Sequence, residues 1–159
     1  MRLLLTFIFI LLASATSFAE SPTNIPYYAS IKADEANVRT GPSVRYPIQW
    51  VYKKPNWPIK VTATFEMWRK ISDIDGEAGW IHESLLSGRR YAMGKGESAQ
   101  EVYQLPIKTA AVVMIMEGNA IARLLECKSG WCKISAEDEK GWIQSSLLWG
   151  VEENEQTND

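Results

Sequence analysis

Histidine and cysteine are nearly absent from this 159-residue chain, which carries one histidine, His82, and two cysteines, Cys127 and Cys132. A cysteine peptidase needs a thiolate, a histidine base and a third orienting group. A zinc site needs three or four His, Cys or carboxylate ligands at defined spacing. His82 beside Glu83 supplies neither set, so no catalytic residue, no metal ligand and no cofactor is expected. A glycine-rich phosphate loop is missing too. The carboxylates that glycoside cleavage would place across a cleft cluster instead at Asp73, Asp75 and Glu77, in a polar stretch that reads as a solvated turn. The composition therefore points away from an enzyme.

Positive charge is also in short supply, with 17 basic residues against 19 acidic ones. Proteins that grip nucleic acid carry a basic patch dense enough to displace counterions from phosphates, and none is visible. A membrane anchor needs roughly 20 consecutive apolar residues, whereas the apolar run over residues 3–13 is soon broken by Ser14, Thr16 and Ser17. With Arg2 ahead of it and Ser17-Phe18-Ala19 behind it, this run has the three-part pattern of a cleavable secretory signal. Residues 1–19 are expected to be that signal, and the mature protein to lack a membrane span. No cysteine lies in or just after the run, which excludes a lipid attached to an N-terminal cysteine. Without Arg2, 16 basic residues face 19 acidic ones, a net charge of −3, and four of the acids lie in residues 151–159.

What the chain does have is an internal repeat. Trp68-Arg69-Lys70-Ile71-Ser72 matches Trp131-Cys132-Lys133-Ile134-Ser135, Gly79-Trp80-Ile81 matches Gly141-Trp142-Ile143, and Ser84-Leu85-Leu86 matches Ser146-Leu147-Leu148. The offset is 63 residues, falling to 62 after one gap. Each copy consists of short stretches alternating apolar and polar residues between Pro, Gly and Asn, without a run at helical spacing. Strands are expected at 57–65, 68–74 and 79–82, and in the second copy at 120–127, 131–136 and 141–144. Such spacing predicts an all-β fold of two small barrels.

The stretch from Leu124 to Ile134 reads as a hairpin with Ser129-Gly130 at its tip. Lys128 then faces Trp131, and Cys127 faces Cys132 on the next rung, where Cα atoms approach to about 4.5 Å, within reach of a disulfide. In an oxidising compartment the two are expected to pair; free buried thiols are the alternative.

Ala36-Asn37-Val38-Arg39-Thr40-Gly41-Pro42-Ser43 is similar to the opening signature of bacterial SH3 domains, and Gly79-Trp80-Ile81 to their closing strand. The whole chain resembles exported proteins with tandem bacterial SH3-like domains. The resulting layout is a signal at 1–19, a first SH3-like domain at 30–88, a linker at 89–100, a divergent second domain at 101–150 and an acidic disordered tail at 151–159. The second copy departs at Val102-Tyr103-Gln104-Leu105-Pro106, where the signature's Asn, Arg and Gly are absent.

In the first copy, Gly41 can take the positive φ of a sharp turn, Pro42 restricts φ after it, and Asn37 can hydrogen-bond nearby backbone. Arg39 has two readings, a loop clamp or salt bridge and a ligand contact. The seven tryptophans invite a binding role, since flat amphipathic rings suit extended peptides or sugars. Packing is the competing role, because small domains have little core. If Ile71 and Ile134 fill the barrels, Trp68 and Trp131 point the other way. The resemblance implies a non-catalytic cell-envelope protein, periplasmic or else secreted. Its groove at Asn37, Arg39, Trp68 and Trp80 would take an extended peptide from peptidoglycan or a partner protein. The competing class is an assembly protein whose barrels dock on another envelope protein with no small ligand.

Overall fold

The computed structural model describes residues 24–157; the expected signal at 1–19 lies outside them. The chain forms two seven-stranded antiparallel sheets with the same connectivity. The first contains β1 (Tyr27–Ile31), β2 (Ala36–Arg39), β3 (Ile48–Tyr52), β4 (Pro58–Phe65), β5 (Trp68–Ser72), β6 (Ala78–His82) and β7 (Leu86–Ser87), in the order β3-β2-β6-β5-β4-β1-β7. The second contains β8 (Tyr91–Gly94), β9 (Gln100–Tyr103), β10 (Val112–Met116), β11 (Ile121–Lys128), β12 (Trp131–Ala136), β13 (Glu139–Gln144) and β14 (Leu148–Trp149), in the order β10-β9-β13-β12-β11-β8-β14. One turn of 3₁₀ helix, Glu83–Leu85 or Ser145–Leu147, precedes the last strand of each. The all-β tandem architecture expected from the repeat is the observed one.

Each sheet curls around its own apolar core. Ile31, Val38, Ile59, Val61, Ile71 and Ile81 fill the first, while Val102, Leu124, Ile134, Ile143 and Leu148 fill the second. Alternation along a strand sends every second side chain inward, so Ile71 is fully buried while Lys70 is exposed. At Lys60↔Ser72 and Val61↔Ile71 the β4–β5 ladder is regular, and it then shifts register before Ala63. The β11–β12 ladder shifts likewise between Leu124 and Glu126. A bulge in each long strand adds the bend that curls a sheet.

The turns follow the local chemistry. Ser129 and Gly130 both have positive φ, 51° and 77°, the conformation a two-residue hairpin turn requires. Lys128↔Trp131 and Cys127↔Cys132 are the first two rungs behind them, and the cysteines are disulfide-bonded with Cα atoms 4.0 Å apart.

Gly79 and Gly141 are where the barrels close. A Cβ on Gly79 would stand 2.5 Å from Val38 Cγ1 and 2.9 Å from Gln49 Oε1. On Gly141 it would stand 2.6 Å from Val113 Cγ2 and 2.7 Å from Val102 Cγ1. These glycines let β6 and β13 lie against β2 and β9, which they meet only at Arg39↔Trp80 and Tyr103↔Trp142.

Three expectations need correction. The stretch 89–100, read as a linker, contains β8, which pairs with β11 and β14 and buries Ala92 and Met93. It is the second copy's counterpart of β1, hidden in sequence by its shortness and its flanking arginines. The acidic segment after Gly150, read as a disordered tail, runs back along β11 through an antiparallel bridge Glu126↔Gln156 and an ion pair of Glu155 with Arg90. Its partner lies 65 residues away, beyond any local pattern. Asp73, placed in a solvated turn, is buried: Oδ1 accepts the backbone N–H groups of Asp75 and Glu77 at 3.1 and 3.0 Å, and Oδ2 accepts the Tyr52 hydroxyl at 2.9 Å.

Two measurements check this account. Gly79→Ala and Gly141→Ala should each lower unfolding free energy by about 1–3 kcal/mol through overpacking, while Gly88→Ala, whose Cβ would meet nothing within 4 Å, should change it by less than about 0.5 kcal/mol. Burial, then the charge of Asp73, push the Tyr52 hydroxyl pKa well above its ordinary value. An unfolded tyrosine ionises near pH ~10, so the unfolded state loses that proton first and this contribution to stability falls as pH rises through ten. Denaturant titrations should show that alkaline loss in the wild type and less of it in Tyr52→Phe, which at neutral pH is about 1–3 kcal/mol less stable because Asp73 loses a donor.

Candidate functional site

On the outer side of the first barrel, β5 and β6 place Trp68 directly opposite His82. The two rings meet edge to face with centroids 5.4 Å apart. Together with Asn37 and Arg39 of β2, Val44 of the β2–β3 loop and Leu85 of the 3₁₀ turn, they line a shallow depression of about 170 Å³. Three of the four ligand residues expected from sequence, Asn37, Arg39 and Trp68, thus come together. Trp80 is not among the lining residues; half-buried, it lies two residues before His82 on β6, opposite Lys70 and Arg39.

Arg39 acts as a clamp, and on carbonyls rather than a carboxylate. Its Nη1 donates to the carbonyl oxygens of Val44 and Tyr46 at 3.1 and 2.8 Å, pinning the loop that forms one wall. Gly41 serves the same loop in an unexpected way. Its φ is not positive, but a Cβ there would stand 2.6 Å from the Tyr46 ring, so glycine is needed for close approach of the aromatic. Asn37 is a strand residue opposite Val51 rather than a loop residue. Val44, at 72% exposure, and Tyr46, at 47%, leave an apolar rim.

Trp68 points away from Ile71 as expected, yet only 9% of it is exposed. It is the floor of the depression, where packing and ligand contact coincide. His82 spends Nδ1 on the 3₁₀ turn, accepting the Ser84 N–H at 3.2 Å with the Ser84 hydroxyl 2.7 Å away. His82, considered from the sequence as a catalytic base or a zinc ligand, is instead a wall of the depression. The signal was available, since it follows Trp80 at a two-residue spacing on the same face of the closing strand.

The corresponding face of the second barrel is built differently. Tyr103 stands where Arg39 stands, its ring edge-on to Trp131 at 5.9 Å, and its hydroxyl donates to Glu101 at 2.6 Å. That hydrogen bond, more than desolvation, raises the Tyr103 pKa. Trp142 is covered by Lys128 and Lys133, whose ammonium groups lie 5.0 and 5.8 Å from its ring centroid. The indole most nearly equivalent to Trp80 is therefore only 7% exposed.

A larger depression, of 370 Å³, lies beside β1 and β7 over the Arg69–Glu83 ion pair. Arg69 is committed internally, donating also to the carbonyls of Glu66 and Trp68 at 2.8 and 3.1 Å. Among the described residues, no group of three or more His, Cys, Asp or Glu is arranged to hold a metal ion, and no helix is long and apolar enough to cross a membrane.

The family described as "Bacterial SH3 domain" matches residues 32–88 and 97–150. The putative N-acetylmuramoyl-L-alanine amidase YrvJ of Bacillus subtilis (strain 168) is 26% identical over 148 residues, covering 82% of this chain and 28% of that protein. The chain thus spans little more than a quarter of the curated relative it matches. Among solved structures, NlpC1 from Trichomonas vaginalis aligns over 87% of this chain and 50% of its own, with 14% identity and a TM-score of 0.36. NlpC2 from the same organism aligns over 78% and 48%, with 11% identity and a TM-score of 0.36.

If Arg39 holds the β2–β3 loop, Arg39→Ala should speed amide hydrogen exchange at Val44–Tyr46 by at least tenfold, with exchange of the Ile59, Val61 and Ile71 amides unchanged. Equal acceleration at both places would mean that Arg39 supports the barrel as a whole.

Proposed function

Because the chain belongs to the bacterial SH3 domain family, we propose that it is a non-catalytic binding protein of the cell envelope whose first barrel takes an extended peptide. The observation that carries this reading is the convergence of Asn37, Arg39 and Trp68 with Val44, His82 and Leu85 around one depression, in the copy that holds the complete opening signature. Arg39 spends its guanidinium partly on the loop carbonyls, so the wall stands before a ligand arrives and less ordering entropy opposes binding. The Asn37 amide offers a donor and an acceptor to a peptide backbone. Trp68 and the Val44–Tyr46 rim offer apolar contact for its side chains.

The relative from Bacillus subtilis bears the name of an amidase acting at N-acetylmuramoyl-L-alanine, which supports a peptide of peptidoglycan as the ligand. The amidase activity itself is not carried over, given the 28% of that protein that this chain covers. Export through the segment at 1–19, and a periplasmic or secreted location, belong to the same proposal, as does the absence of catalysis. The pairing of Cys127 with Cys132 supports an oxidising compartment.

A second reading, an assembly protein docking on another envelope protein, has its own observation. Leu105, Ile107, Val112 and Ile115 are each 45–54% exposed on β10 and the loop before it, and clustered exposed apolar residues mark interaction surfaces.

Co-sedimentation with purified peptidoglycan separates the two readings. The double variant Asn37→Ala, Val44→Glu should reduce the bound fraction at least fivefold with a melting temperature within about 2 °C of wild type, whereas Leu105→Glu should leave it unchanged. Retained binding by the double variant, or loss of binding by Leu105→Glu, would reject the groove on the first barrel.

A further inference from the structure

Past Arg123, where its pairing with β8 ends, one edge of β11 is left to be covered by the segment after Gly150. The Cys127 N–H donates to the Glu155 carbonyl at 2.7 Å and the Thr157 N–H to the Leu125 carbonyl at 3.3 Å, so the segment adds itself as an antiparallel strand. Three alternate side chains turn to the barrel. Glu153 accepts the Gly130 N–H at 2.9 Å, at the tip of the disulfide hairpin. Glu155 pairs with Arg90, whose Nε and Nη2 both reach its carboxylate. The Thr157 hydroxyl donates to the carbonyl of Leu125 at 2.6 Å, with that of Leu124 3.2 Å away. Ladder bonds for affinity and alternate side chains for selectivity are the physics of strand addition by peptides.

Beyond Val151, which packs against the second core, the segment is held by polar groups. Glu152, Glu153, Asn154 and Gln156 are exposed, and no large apolar side chain follows Val151. Segments with so little apolar burial open at the low end of a protein's stability range. Nor does the segment fill its seat. A cavity of 260 Å³ remains there, and Arg89, Arg90, Leu124 and Glu155 are among the described residues that line it. Arg90 Nη1 is buried without a hydrogen-bond partner among the described residues.

We propose that this edge of β11, with Arg90 and the Gly130 N–H, is a docking site for an extended acidic segment of a partner protein with a Glu-x-Glu-x-Thr pattern. The chain's own residues 153–157 are its resident occupant. The site is distinct from the depression on the first barrel. A partner strand takes the place of the resident one by forming the same ladder and bringing a further acceptor to the buried Arg90 Nη1.

The test uses fluorescence anisotropy with a labelled synthetic peptide of residues 150–157. In the tail-released variant Glu155→Lys, Thr157→Ala, the peptide should bind saturably and at least tenfold more tightly than to wild type. A peptide with Gln at the position of Glu155 should bind at least tenfold more weakly, and raising NaCl from about 50 to 500 mM should weaken binding through screening. Arg90→Ala in the tail-released background should abolish binding. Because Arg90 also donates to the Gly150 carbonyl at 2.9 Å, Arg90→Lys serves as the milder companion, which should melt cooperatively and bind the peptide more weakly. A tail-released protein that melts cooperatively yet ignores the peptide, or binds the Gln peptide equally well, overturns the proposal.

Discussion

Each barrel depends on one rung. At Arg39↔Trp80 the sixth strand meets the second, and at Tyr103↔Trp142 the corresponding strands of the other copy do the same. The contact exists because Gly79 and Gly141 present no side chain to Val38 and Val102. It positions everything of interest on the outer face. Trp80 and His82 project outward only because Ile81 between them is locked into the core, and Arg39 reaches its loop only because β2 is held against β6. The site is thus a by-product of closure, and at the rung the copies share the tryptophan while its partner is Arg39 in one and Tyr103 in the other.

The two copies also illustrate how one scaffold position can be held by different chemistry. At the second rung of the long hairpin the first copy has Thr64 opposite Arg69, and the second has Cys127 opposite Cys132. Arg69 ties its hairpin to the 3₁₀ turn through Glu83 and to the turn carbonyls, whereas the disulfide ties its hairpin to itself. A bond closing so short a loop removes only about 2 kcal/mol of unfolded-chain freedom. The Arg69–Glu83 pair is half-buried, its carboxylate 32% exposed, and such a pair yields little net stability against an apolar replacement. Both are local staples beside cores that do most of the work through apolar burial.

Arg90 is the node at which the parts of the chain meet. Its guanidinium carbon lies 5.4 Å from the centroid of Tyr28 in the first barrel, it donates to the Gly150 carbonyl at 2.9 Å, and it pairs with Glu155. Tyr28 in turn meets Trp149 edge-on at 5.5 Å. Burial, and next the charge of Glu152, raise the Tyr28 pKa, with Arg90 opposing them. Gly150, at φ 88°, passes so close to Pro58 that a Cβ would stand 2.9 Å away. The junction is therefore a packed seam of aromatic, cationic and glycine residues.

The repeat, the β periodicity, the hairpin tip at Ser129-Gly130 and the facing cysteines were all legible in the amino-acid sequence, because each rests on residues close together in the chain or on a pattern copied twice. The outward direction of Trp68 followed from the alternation of a strand, but its burial did not, since the residues around it in the depression come from β2, its following loop, β6 and the 3₁₀ turn. Arg39 could be singled out, yet its partners are carbonyls, which carry no side-chain signature. The linker that proved to be β8 and the acidic tail that proved to be a docked strand show the same limit. Composition describes what a segment can do alone, and both are ordered by partners far away in sequence. By itself the sequence determined the two barrels and their turns; only the tertiary structure decided which side chains share a groove and what covers the free edge of β11, because both depend on distances between strands that chain order does not encode.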